Sequence, residues 1–171
     1  MKPITHTLCV AILATTFAAT AAISAQDIPA TTAQGSITVN GNRTEFHYAY
    51  VVTRTSLASK KPETVLIISD KPVAANAVAD DTERMVAQRR DGLNLIELKF
   101  DEKNTLVGTN FEVAPLVVSA YSTEFKMNIE RFTDTQLAGR FNSSSEHKMQ
   151  NNTYAFDVRF NASMIAPAAG L

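Results

Sequence analysis

A single cysteine, Cys9, rules out a disulfide framework within the chain, and with it an intramolecular zinc ribbon or iron–sulfur site. An excess of one charge is missing too: 16 Lys and Arg stand against 17 Asp and Glu over 171 residues, for a net charge of -1. A nucleic-acid binder must neutralise several phosphates at once, so no nucleic-acid partner is expected. There is no Trp, and only three histidines are present. The chain has no Gly-x-Ser-x-Gly, no His-x-His pair and no cofactor motif; no cofactor is expected. Beyond the first 25 residues no run is long and apolar enough to span a bilayer.

The first 25 residues read as a secretory signal peptide. Lys2 supplies the positive start, Leu8 to Ile23 is an uncharged Ala-rich run, and Ser24-Ala25 precedes polar Gln26-Asp27. Cleavage is expected after Ala25, with Ala21 or Ala22 as alternatives. The high Ala and Thr content makes the run weakly hydrophobic, which favours a cleaved signal over a retained anchor. Cleavage removes Lys2 and Cys9. What remains is 146 residues with 15 basic and 17 acidic side chains, net -2. The expectation is a cysteine-free periplasmic or secreted domain without a membrane span, large enough to be held together by its core alone.

Residues 26–34, rich in Pro, Ala and Thr, read as a disordered leader, and residues 35–166 as a single β domain. Ser36 to Val39 alternates, Asn40-Gly41 is the preferred type I′ pair, and Phe46, Tyr48, Tyr50 and Val52 recur at every second position after it. Thr64 to Ser69 is a continuous apolar run that predicts a strand buried on both faces. Asp80 is a helix N-cap with Glu83 at the capping-box position, and Gly92 is a stop. These signals predict one short surface helix near residues 80–91, docked through Met85 and Val86. The β pattern resumes at Ile96 and runs to Asn161, with Pro115 marking an edge or bulge. Eight or nine short strands predict an all-β fold, an antiparallel sandwich or a partly closed barrel. The Gly35 to Gly41 hairpin followed by Ala49-Tyr50, the Leu66 to Pro72 strand and turn, and the Tyr154 to Ala162 strand together resemble small exported bacterial all-β domains of unknown function. That resemblance covers most of residues 35–165 and implies fold and compartment, with no site residues to carry over.

Chemistry-bearing side chains are sparse. Glu45 and His47 share one strand face and, with His147, are the weak candidate metal ligands; an exposed strand pair is the favoured explanation of the first two, and no metal is expected. Asn142 to Asn152 gathers three serines, Glu146 and His147 in one segment that reads as a polar hairpin loop. Asp157 and Arg159 are expected to pair with Lys126, Asn128 or Glu130 across a neighbouring strand. Arg84, Arg89 and Arg90 with Lys60-Lys61 form a candidate basic patch, the helix dipole accounting for Arg89 and Arg90. Tyr48, Tyr50 and Phe156 line a ligand cavity if a barrel interior is open, or fill a core if it is not. The functional expectation is a non-enzymatic module that binds a protein or cell-envelope component. The alternative is a carrier of a small apolar ligand in a barrel interior, and a hydrolase comes third because it lacks any motif.

Overall fold

The hairpin signal is realised as expected: Asn40 and Gly41 both take positive φ, 50° and 81°, between antiparallel partners Val39 and Asn42. A computed structural model describes residues 31–165 apart from 57, 121–124 and 150; the expected signal peptide lies outside the described residues. The strands are β1 (Thr32–Val39), β2 (Asn42–Thr55), β3 (Pro62–Ser69), β4 (Leu95–Phe100), β5 (Leu106–Val113), β6 (Leu116–Ala120), β7 (Phe125–Phe132), β8 (Gln136–Ser143), β9 (His147–Met149) and β10 (Asn152–Ile165). Helices α1 (Ala75–Ala79) and α2 (Asp81–Asp91) lie between β3 and β4. The sheet runs β6-β5-β4-β3-β2-β1-β10-β8-β7, with β9 added beside β10. Neighbours pair antiparallel, save for a short parallel contact of β2 with β10 at Val51–Met164 and Val52–Ile165.

Rings from strands far apart in that order meet, so the sheet is curled into a half-barrel. Phe100 of β4 packs edge-on against Phe132 of β7 at 5.5 Å between centroids, and Phe111 of β5 against Phe125 of β7 at 5.6 Å. The concave face holds the main core, including Ile37, Phe46, Leu66, Ile68, Leu98, Phe111, Phe141 and Phe156. A second, smaller core forms on the convex face, where Val52, Val65, Ile67 and Leu95 meet Val73, Ala77 and Val78 of the helical segment. β3 is buried on both faces because helices cover one and the curled sheet the other.

Several expectations are corrected. β1 starts at Thr32, inside the supposed leader, because Thr32 to Gln34 pair with Asn161 to Arg159 of β10. The segment read as a loop contains β9, whose His147 pairs with Tyr154. α1 carries neither a side-chain cap nor first-turn acids, which is why its five residues gave no helix signal. The face of β2 also changes along its length. Phe46 enters the concave core, but so do Ala49 and Val51, while Tyr50 and Val52 pack on the convex side. The β1–β2 register shifts between Thr32 and Gly35, and a one-residue offset moves every later side chain to the other face.

Gly35 stands at that shift with φ 139°, and a Cβ there would lie 2.1 Å from the Asp157 carbonyl oxygen. Both the backbone angle and the close approach demand glycine. Gly35→Ala is expected to cost roughly 1–3 kcal/mol in urea unfolding; a change within error would show that the β1–β10 contact is free to relax.

Candidate functional site

α2 begins as its sequence predicts. The Asp80 carboxylate accepts hydrogen bonds from the Thr82 and Glu83 amides at 2.7 and 3.0 Å, which holds its pKa below the ordinary carboxylate value. The capping box is not closed by Glu83, since the Asp80 amide already donates to the Asn76 carbonyl of α1 and Glu83 accepts from the Asn76 side chain at 3.2 Å. At the other end Gly92 is left-handed, and the Lys71 ammonium donates to the Asp91 and Gly92 carbonyls at 2.7 and 3.1 Å.

The docking face of α2 differs from the expected one. Met85 and Val86 are 43% and 47% exposed, whereas Arg84 is only 3% exposed. Arg84 donates to the Ala77 and Val78 carbonyls at 2.9 and 3.2 Å, satisfying the open end of α1, and its other nitrogen binds Asp81 and Glu97. Glu97 of β4 is itself buried and also receives Lys99 and Asn110, both at 3.0 Å. Asp81 continues the network to Arg54, which pairs with Glu63 at 2.8 Å. Burial alone would raise the Asp81 pKa. The hydrogen bond from Arg54 and the charges of Arg84 and Arg54 reverse that and hold it below the usual range. Alternating charges thus join β3, β2, α2 and β4.

Beside this network, α2 and the convex faces of β4, β5 and β6 enclose an open groove of about 700 Å³. Its α2 side is the stripe Asp81, Arg84, Met85, Gln88 and Arg89, at helical spacing. Its floor carries Glu97, Asn110 and Glu112, and Val117 of β6, 74% exposed, stands on its rim. Glu112 is half-buried. Burial, and then the nearby Glu97 charge, push its pKa up, against a hydrogen bond from Gln88 and the pull of Arg84. Among the described residues Glu112 has no ion-pair partner.

The residues singled out from sequence lie elsewhere. Tyr50 is on the convex side, where its hydroxyl accepts from the Val73 amide at 3.2 Å. Phe156 is in the concave core against Phe141, with centroids 4.6 Å apart, and Tyr48 is half-buried with its ring perpendicular to that of His47. The three do not share a cavity wall, because β2 changes face between Phe46 and Ala49. Glu45 pairs with Arg43 at 2.9 Å and His47 is exposed. His147 packs against Phe125 and Tyr154. These three are not gathered, and among the described residues no cluster of three or more His, Cys, Asp or Glu is arranged to hold a metal. The supposed basic patch is dispersed: Arg84 is buried, Arg90 pairs with Asp91 and Lys61 with Glu102. Asp157 takes a two-point hydrogen bond from Arg140 of β8 instead of the expected β7 partners, because β8 is its neighbour in the sheet. Sequence reading missed the groove because Glu97, Asn110 and Glu112 look like the solvent side of ordinary alternating strands.

Arg84→Met leaves Glu97 buried with only part of its compensation and is expected to cost about 3–5 kcal/mol, much of it recovered in Arg84→Met/Glu97→Leu. Urea unfolding of the double-mutant cycle checks this; additive costs would show that the two charges act independently. For Glu112 the folded chain binds the proton better than the unfolded one. Its contribution is therefore fully present below the ordinary 4.5 and is lost as pH rises through the raised value. Glu112→Gln should raise Tm at neutral pH and leave it unchanged well below 4.5; the opposite trend would mean that the carboxylate is stabilising.

No protein-family model, curated protein or solved structure matches the chain.

Proposed function

We propose that the chain is an exported, non-enzymatic β domain that binds a partner protein through the groove between α2 and β4–β6. The observation that carries this reading is the groove itself, with Glu97 on its floor held by Arg84, Lys99 and Asn110 and an apolar rim in which Met85 and Val117 are left in solvent. Glu97 is tied to α2, to its own strand and to β5, which favours a preorganised surface over one that must be ordered on binding. Export rests on the signal-like first 25 residues. Among the described residues no helix is long and apolar enough to cross a membrane. The carrier alternative finds less support. The concave side is occupied by Phe111, Phe125, Phe141, Tyr154 and Phe156, with ring centroids 4.6 to 6.5 Å apart. For hydrolysis, neither His47 nor His147 lines the groove or the second cleft near Asp101 and Asp134.

The test is affinity capture from the exported fraction of the native cell with the wild type and Val117→Glu, followed by hydrogen exchange on the complex. The reading expects a partner lost on Val117→Glu that slows exchange in residues 81–97 and 106–120. Capture unaffected by the substitution, with protection on another face, would overturn it.

A further inference from the structure

The two edges of the sheet are built differently. β7 carries Lys126, Glu130 and Arg131, charges of the kind that discourage another strand from pairing. β6 is Leu-Val-Val-Ser-Ala, with no charge; among the described residues its pairing partner is β5, and it ends the sheet. The β4–β5–β6 register sets Leu95, Glu112 and Val117 in one cross-strand row on the convex face. A strand added to the free side of β6 would continue that row with its own side chain next to Val117.

That added position lies two strand spacings from Glu112, roughly 9–10 Å. A lysine stem reaches about 6 Å from its Cα, and the Glu112 side chain covers the rest. The aliphatic part of such a side chain would lie across Val117, and its charged end would meet the half-buried carboxylate. Among the described residues Glu112 is also the acid of the groove without an ion pair, whereas Glu97 already holds Arg84 and Lys99 and Asp81 holds Arg54 and Arg84. Arg89, the exposed cation of the groove, is accounted for by its place in the last turn of α2. The complementarity therefore favours a cation from the partner.

We propose that the partner is an extended polypeptide segment that adds to the β6 edge and places a lysine or arginine across Val117 onto Glu112. This rests on the reading of the groove as the partner site. Binding favours the ionised carboxyl. Glu97 of β4 and Gln88, Arg84 and Asp81 of α2 act on that group, Arg89 and Lys99 line the same groove, Val117 of β6 is its cross-strand neighbour, and a partner's cation would offset the burial and the Glu97 charge that oppose ionisation. Affinity should fall as the solution is acidified and Glu112 is protonated.

The probes are acetylated and amidated heptapeptides, Thr-Val-Thr-Lys-Thr-Val-Thr and its norleucine counterpart, with N-acetyl-lysine amide as the free amine. They are titrated into the mature chain by NMR, with Glu112→Gln as the variant and its thermal melt as the folding control. The lysine heptapeptide should shift the amides of residues 110–119 and bind about tenfold or more tightly than the norleucine one. Glu112→Gln should abolish that preference while leaving the norleucine peptide unchanged. Equal binding of the two peptides, a preference retained in Glu112→Gln, no binding at millimolar peptide, or N-acetyl-lysine amide as strong as the heptapeptide would each overturn the proposal. If Val117-dependent capture of the native partner persists in those cases, the groove stands as the partner site and only its choice of a basic strand fails.

Discussion

Arg84 is the point on which the convex side of the molecule depends. Its guanidinium donates to the Ala77 and Val78 carbonyls at the end of α1, binds the buried Glu97 carboxylate of β4 and shares Asp81 with Arg54 of β2. An apolar side chain there would bury comparable area but leave the Ala77 and Val78 carbonyls and Glu97 without these donors. A buried ion pair adds little net stability against a well-packed apolar pair. Its effect here is positional: it fixes the register of α2 on the sheet, and therefore which residues of the helix face the groove.

The same constraint explains why α2 leaves Met85 and Val86 in water. Arg84 points inward, and at 100° per residue the two apolar positions that follow are carried off the docking face. Ala87 packs against the convex core from the next position that returns toward the sheet. The helix is held by hydrogen bonds and charge at both ends, with modest apolar contact between them. The groove lies along its open flank, where the floor is ordered and the rim is left uncovered.

The concave side follows a different logic. Curling brings β4 and β5 over β7, β8 and β10, so aromatic residues remote in sequence fill one interior. The alternation of Tyr154, Phe156, Val158 and Phe160 was legible because β10 keeps one face inward over that stretch. β2 was misread after Phe46 because its face is altered where the β1–β2 register shifts, and that pairing is a property of two strands together. Glu97 shows the same limit. Its strand alternates as a half-exposed strand should, yet α2 covers the polar face and turns an apparent surface acid into a buried one.

By itself the sequence determined the local chemistry: the Asn40-Gly41 turn, the Asp80 cap and Gly92 stop of α2, the doubly buried β3, and an all-β fold with a helix between strands. Those features depend on backbone preferences and periodicity over a few residues, which are written locally. Tertiary structure decided the face presented by Tyr50, the burial of Arg84 and Glu97, and the meeting of Glu112 with Val117 on the strand that ends the sheet among the described residues. Each of these depends on which strand pairs with which and in what register, and on where a helix lands, so no single segment specifies it.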